Sequence, residues 1–306
     1  METYDVAVIG GGAAGMSAAV AAREKGASRV LILERDDVLG GVLNELIEPL
    51  TGWDGGLTGV ELADSMAGRT GVRKVIVKTG TLVLSVTKDR QIKYVNGVEG
   101  VREVEAKAIV FATGARERPR GILNISSKRS AGIMSVGSAR KLIVNDGFLP
   151  GKNVVIYGGD RNGIYLARML VVEGARRVTL VEPGKAFKNW DDSMDRLIKY
   201  PGVEVKLGAR ILEISENGRI TAVKIRTSTP EEMTEVIECD ALLLSVGLDP
   251  SRRLFKRFRR NLDEMGMYTA GNAEEVSYDC RTAMERGSEA GAEAAAYAAG
   301  TLQIEQ

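Results

Sequence analysis

The chain has 306 residues, of which 44% are hydrophobic and 36 are glycine, which suits a packed, turn-rich α/β protein of one large or two medium domains and argues against disorder. Lys and Arg number 42 against 41 Asp and Glu, and the resulting net charge of +1 argues against a nucleic-acid channel or an anionic membrane as the main partner. Histidine is absent, which removes the Ser-His and Cys-His constellations, the commonest general base and the commonest transition-metal ligand. No metal site is expected, and the chemistry must come largely from a bound cofactor.

The first strand is expected over 4–9, a β-branched run that enters Gly10-Gly11-Gly12-Ala13-Ala14-Gly15 directly. An Ala-rich stretch over 16–25, stopped by Gly26, reads as a helix. A strand over 29–33 then delivers Glu34 to its carboxyl end. Strand, G-x-G-x-x-G, helix, strand and acid in that order make a dinucleotide fold. Gly10 allows the tight turn, Gly12 lets the backbone approach a pyrophosphate, Gly15 lets the helix pack close, and Glu34 accepts from a ribose. The helix start offers free N–H groups to the phosphates.

Short segments over 74–78, 81–86, 92–95 and 103–105 read as a β-meander inserted in this first domain. A strand over 108–111 runs into Ala112-Thr113-Gly114-Ala115, and Arg116, Arg118, Pro119 and Arg120 follow as an interdomain crossover, a solvated linker or a guide for an acidic cofactor or partner.

The pattern then starts again. A strand over 152–157 enters Gly158-Gly159-Asp160-Arg161-Asn162-Gly163, a helix follows over 164–172, and a strand over 177–181 ends at Glu182. Asp160 stands where the second glycine belongs, and its carboxylate would both crowd and repel phosphate. Two readings stand. Either this unit binds NAD(H) with adjusted geometry, helped by the charge of Arg161, or it keeps the fold without the ligand. If a nicotinamide cofactor binds, Glu182 favours NAD over NADP. A second meander over 203–207, 211–215, 220–226 and 233–239 precedes a strand over 241–247, the counterpart of the first Ala-Thr-Gly strand, so the halves form a divergent internal repeat. Gly271-Asn272 leads to a small-residue helix over 281–299, too marked by Glu for a membrane.

The two cysteines, Cys239 and Cys280, have no CxxC spacing, and the plain reading is two reduced thiols in packed positions. Cys280, beside Asp279 and just ahead of the last helix, is a candidate redox thiol if the helix end lowers its pKa. No charged and apolar leader precedes the first strand, and no run approaches the ~20 apolar residues of a membrane span, so a cytoplasmic location is expected.

Gly10, Gly12 and Gly15 with Glu34, then Gly40-Gly41, Ala112-Thr113-Gly114, Gly158 and Gly163, Val246-Gly247 and Gly271-Asn272 carry a resemblance over essentially the whole chain. They resemble the two-dinucleotide-binding-domain flavoproteins of the pyridine nucleotide-disulphide oxidoreductase superfamily. The resemblance implies an α/β fold of two interleaved Rossmann-like (three-layer ββα) domains in the small thioredoxin-reductase-like architecture. It implies an FAD domain over 1–117 and 248–306 and an NAD(P) domain over 118–247. The FAD contacts implied are Gly10, Gly12, Ala13, Ala14, Gly15, Glu34, Arg35, Leu82, Ala112, Thr113 and Gly114, with Gly41, Val42 and Asn44 near the isoalloxazine or ribityl chain and Gly271 and Asn272 on the ribityl hydroxyls. The nicotinamide nucleotide falls to Gly158, Gly159, Arg161, Gly163, Glu182, Val246 and Gly247.

Leu39-Gly40-Gly41-Val42-Leu43-Asn44, Leu57-Thr58-Gly59 and Gly114-Ala115-Arg116-Glu117-Arg118-Pro119 resemble more closely the FAD/NAD oxidoreductases encoded with anaerobic glycerol-3-phosphate dehydrogenase, and in part the amine and amino-acid dehydrogenase α subunits. This implies a small-molecule or protein electron acceptor and leaves open a dehydrogenase or iron–sulfur partner subunit and a homo-oligomer. Where the glycerol-operon relatives carry Cys and His, this chain has Leu46 and Glu48. Glu48 is the candidate polar group at the substrate face, with an ordinary surface glutamate as its competing reading. The small thioredoxin reductases keep a CxxC in a region that here reads Met134-Ser135-Val136-Gly137, so thioredoxin-type exchange is excluded unless a partner supplies both thiols. The function implied is an FAD-dependent NAD(P)H oxidoreductase passing electrons between NADH and an acceptor. Two alternatives stand beside it: a flavoprotein subunit of a dehydrogenase complex that does not bind NAD, and a non-catalytic flavin- or nucleotide-binding partner protein.

Overall fold

The computed structural model describes residues 1–47, 49–50, 56–119, 121, 130–187, 194, 202–228, 232–258 and 261–301. β1 (Glu2–Ile9), α1 (Ala13–Glu24) and β2 (Val30–Leu33) open the chain, followed by α2 (Gly59–Val72), β3 (Ile76–Lys78), β4 (Thr81–Val86), β5 (Gln91–Asn96) and β6 (Gly100–Phe111). β7 (Ala115–Glu117) leads to β8 (Ile133–Ser135), α3 (Val136–Asp146), β9 (Asn153–Tyr157), α4 (Arg161–Val172) and β10 (Arg177–Glu182). Then come β11 (Val203–Leu207), β12 (Ala209–Asn217), β13 (Arg219–Thr227), β14 (Met233–Glu238) and β15 (Ala241–Leu244). β16 (Leu248–Pro250), β17 (Met267–Thr269) and α5 (Cys280–Ala298) complete it. The chain divides into two compact units, Met1–Arg116 with Asp249–Gln306, and Glu117–Leu248. Each is Rossmann-like, as the sequence implied.

In the first unit β3, β2, β1, β6 and β17 run parallel, and β4 and β5 form an antiparallel ladder on the first half of β6. β6 therefore belongs to two ladders. The segments expected separately over 103–105 and 108–111 are one strand, whose exposed first half pairs with the meander and whose buried second half sits at the sheet centre. The segment expected at 74–78 as part of the meander is instead the parallel edge strand β3, with Leu31 opposite Ile76. It is parallel because α2, which the sequence pattern conceals, carries the chain over the sheet. Gly68 and Gly71 hide α2 from propensity, but Thr58 and Glu61 mark its start: the Thr58 hydroxyl accepts from Glu61 N–H at 3.2 Å and Glu61 accepts from Thr58 N–H at 2.8 Å.

One face of this sheet is covered by α1 and α5 through a layer of small residues, among them Ala14, Ala18, Ala290 and Ala294. The helices meet without side chains between them. A Cβ on Gly287 or Gly291 would overlap the carbonyl oxygen of Ala14 or Ala18. The other face buries Leu31, Leu33, Ile109 and Phe111, with the Phe111 and Phe255 rings 4.8 Å apart between centroids.

The second unit is a parallel sheet in the order β11-β10-β9-β15-β8. α3 and α4 bury one face, and the antiparallel β12-β13-β14 layer buries the other. Segment 203–207, expected in the meander, is the fifth parallel strand, paired with β10. The strand expected over 241–247 ends at Leu244, where Ser245 N–H bonds the Tyr157 carbonyl at 2.8 Å and the chain turns.

Cys239 lies in the buried layer between this sheet and β12–β14, 4% exposed. Burial, and then the Asp240 carboxylate, pushes its thiol up to about 12. In the native protein Cys239 is expected to resist iodoacetamide at pH 8 on a timescale that labels the partly exposed Cys280. Peptide mass spectrometry of the quenched reaction reads the two sites separately, and equal labelling would contradict this packing.

Candidate nucleotide sites

In the first unit Gly10 adopts φ +107°, and any side chain there would strike the Ala112 carbonyl. A Cβ on Gly15 would overlap the Gly10 carbonyl oxygen, so α1 sits directly on the turn. Gly12 is different: its nearest neighbour would be the Gly40 carbonyl oxygen at 3.9 Å, and one side of it stands open. Gly12 is also the N-cap of α1 with no side-chain capping bond, which leaves the first-turn N–H groups, Ala13 and Ala14 among them, without a side-chain acceptor. An open glycine beside uncapped helical N–H groups fits a pyrophosphate. Glu34, 5% exposed, accepts from Gly11 N–H at 2.5 Å and from Asp36 N–H at 2.8 Å.

Around this turn the fold gathers the other expected residues of the unit. Gly40 bridges Gly12, and Gly41 follows at φ +54°. Asn44 donates its side-chain amide to the Leu39 carbonyl at 2.9 Å, so it braces the 39–41 turn, a role the residue type did not announce. Val42 and Leu82 are half-exposed, and Arg35 is exposed with its guanidinium 3.7 Å from Asp36. The Thr113 hydroxyl donates to the Ser251 carbonyl at 2.7 Å, and Gly114 turns at φ +66°. Gly271, at φ +58°, packs on Ala14, while the Asn272 side-chain oxygen accepts from Ser277 N–H at 2.9 Å and leaves its amide as a donor. Glu48 and Arg120 lie outside the described residues.

Cys280 is the first residue of α5 and packs against the Met16, Leu43, Leu62 and Met66 cluster. Asp279 caps the helix, accepting from Arg281 N–H at 3.0 Å and from the Thr282 hydroxyl at 2.9 Å. Burial alone would raise the Asp279 carboxyl, but these hydrogen bonds outweigh it and hold the group below its ordinary value.

The second unit repeats the wiring in constant register. Gly158 turns at φ +102° against the Ser245 carbonyl, and a Cβ on Gly163 would lie 2.7 Å from the Gly158 oxygen. Glu182 accepts from Gly159 N–H and Gly184 N–H, both at 2.6 Å, as Glu34 does from Gly11 and Asp36. Even the covers correspond: Leu39 lies over Gly11, and Phe187 over Gly159. Gly247, at φ +94° just after Val246, accepts from Arg118 N–H at 3.0 Å.

The difference lies at the helix start. Asp160 caps α4, and its carboxylate accepts from Gly163 N–H at 3.0 Å and from the Ser245 hydroxyl. Arg161 opens the helix, and the buried Arg140 reaches Asn162 at 3.4 Å. The turn and the ribose acid fit a dinucleotide; the pyrophosphate position holds the chain's own anion. Sequence reading singles out Asp160 but misses Ser245, Arg140 and Glu117, which accepts from Gly137 N–H at 2.7 Å at the start of α3. Glu117 and Arg118 also line a recess of about 340 Å³ at the carboxyl ends of β8 and β15, with Met134, Ser135 and Leu244. Overlaying the two halves finds Ser245, because it stands where the first half has Ala112.

Among the described residues no group of three or more Cys, Asp or Glu is placed to hold a metal ion, and no helix is long and apolar enough to cross a membrane. The family model for pyridine nucleotide-disulphide oxidoreductases matches residues 4–286. An alkyl hydroperoxide reductase component of Staphylococcus aureus (strain MRSA252) is 27% identical over 262 residues, covering 83% of this chain and 48% of that protein. The chain thus spans about half the length of the curated relatives it matches. Thioredoxin reductase of T. acidophilum superimposes with a TM-score of 0.74 at 24% identity, covering 98% of this chain and 99% of that one. Bacillithiol disulfide reductase of Bacillus cereus gives a TM-score of 0.71 at 19% identity, with coverages of 98% and 100%. These structural likenesses speak for the fold.

Proposed function

Since this chain belongs to the pyridine nucleotide-disulphide oxidoreductase family, whose cofactors are FAD and NAD(P)H, we propose that it moves electrons between NADH and a small-molecule or protein acceptor through FAD. The observation that carries the reading is the doubled turn, with a glycine corner and a doubly bonded glutamate in each unit. We assign FAD to the first unit, where α1 is uncapped and Gly12 is open, and NADH to the second.

When bound, FAD supplies the hydride- and electron-carrying chemistry. The chain's share is to bind and orient. The first-turn N–H groups of α1 would receive the pyrophosphate, and Glu34 keeps lone pairs that would accept from the ribose beyond the two it gives the backbone. Asn44 fixes the 39–41 turn, and the Asn272 amide would donate to the ribityl chain. In the second unit Glu182 offers only acceptor oxygens, which favours a ribose 2′-hydroxyl over a 2′-phosphate and hence NADH over NADPH. With Met134-Ser135-Val136-Gly137 in the region where the thioredoxin reductases keep a CxxC, electrons leave without an internal cysteine pair. Relatives named for alkyl hydroperoxide, thioredoxin and bacillithiol disulfide point to an acceptor of peroxide or thiol chemistry, acting through thiols of its own. The reading takes the protein as cytoplasmic.

The test is anaerobic addition of NADH to the yellow protein, with flavin absorbance followed near ~450 nm. Bleaching is expected. A flavin that stays oxidised would remove NADH as donor and favour the second reading, a flavoprotein subunit of a dehydrogenase complex whose electrons come from its partner. Asp160 is the observation on that side.

A further inference from the structure

Among the positions at which the two nucleotide turns differ, two touch each other. Where α1 starts at Gly12, α4 starts at Asp160. Where the strand facing the first turn is followed by Ala112, the corresponding strand is followed by Ser245, which is 5% exposed. One oxygen of Asp160 accepts both Gly163 N–H, at 3.0 Å, and the Ser245 hydroxyl. Neither partner of this contact exists in the first unit.

We propose that Asp160 and Ser245 form a latch that determines the affinity of the second site: it holds binding of nicotinamide dinucleotides weak until the carboxylate is displaced. The inference rests on the reading that this unit takes NADH. A dinucleotide pyrophosphate draws on the N–H groups at the helix start, and here the Gly163 N–H is already engaged by an anion of the chain. A phosphate entering that position meets like charge in a partly buried setting, and it must first break the cap and the serine bond. The Ser245 hydroxyl and the Gly163 N–H both hold the carboxylate at the helix start. Arg140, buried and within 3.4 Å of Asn162, and Arg161 on the helix itself place positive charge near the helix start.

A merely structural cap makes a different prediction. Asparagine caps a helix as well as aspartate does, so Asp160→Asn leaves the cap and removes the charge. The experiment is isothermal titration of the FAD-loaded protein with NAD⁺, which binds without turnover, alongside thermal melts. Asp160→Asn is expected to melt as the wild type does and to bind NAD⁺ about tenfold tighter or more, Asp160→Gly about 100-fold tighter, and Ser245→Ala several-fold tighter. If the glycine variant does not fold, the asparagine variant decides. Wild-type protein and variants binding NAD⁺ equally would overturn the latch and leave the NADH reading standing. No NAD⁺ binding by any of them would overturn both.

Discussion

A Gly12→Asp protein is expected to fold, to melt no lower than the flavin-free wild type, and to purify colourless. The substitution gives the first turn the device that nature placed in the second. Gly12 lies at φ −76° and ψ −171°, an extended conformation open to any residue, and a Cβ there comes no closer than 3.9 Å to its nearest neighbour. Aspartate is a favoured N-cap and contributes a few tenths of a kcal/mol over glycine at that position. The same carboxylate faces two phosphate charges, each worth about 4 kcal/mol at 4 Å in a surface-like dielectric. FAD affinity is therefore expected to fall by at least about 10³-fold, with circular dichroism unchanged. The ratio of absorbance near ~450 nm to that of the protein reads the outcome. A yellow, stoichiometric Gly12→Asp flavoprotein would refute the placement of the pyrophosphate at α1.

Gly287→Val is expected to be the most destabilising single substitution of those considered, with a loss of about 3 kcal/mol or more. The new side chain has no room to grow into, because the Ala14 backbone already occupies its place. Backbone cannot swing aside as a long side chain can, so α5 must move off α1 along the small-residue seam that Ala18 and Gly291 continue. Ala14 and Gly271 both stand at that end of the seam, so FAD affinity falls together with the melting temperature, and added FAD restores part of the loss. Gly68→Ala is the counterpart of opposite sign. It sits on exposed α2 with nothing within 4 Å of its Cβ position, and the replacement is expected to stabilise by about 0.5–1 kcal/mol. Urea unfolding of the two variants beside the wild type checks both.

The parts of the molecule that read clearly from the sequence are those where local pattern and tertiary role coincide. Gly10, Gly12, Gly15 and Glu34 sit within one β-α-β passage, and each is demanded by the geometry of that passage. β3 and β11 read wrongly because a short strand shows neither its direction nor its neighbour. Ile76 and Val77, both partly exposed at the sheet edge, look the same in a meander as in a parallel sheet. α2 was hidden by its own glycines although its capping residues were in plain view. The latch was half legible. Asp160 stands out against the fingerprint, but Ser245 shows in the sequence only as the replacement for Ala112 when the two halves are overlaid, and its bond to Asp160 only in the fold. Asn44 shows a further limit: a residue type names the atoms on offer, and only the fold tells which of them are already engaged.

Each glycine turn is closed by an acid that belongs to the polypeptide, Glu34 or Glu182, through two backbone N–H groups. The hydrogen bonds that shape the turn run between groups of the chain itself. The first turn is therefore expected to keep its shape when flavin is removed, and reloading is expected to need no refolding. Removal and return form a reversible cycle, open to flavins altered in their ring chemistry so long as the adenosine diphosphate end is kept.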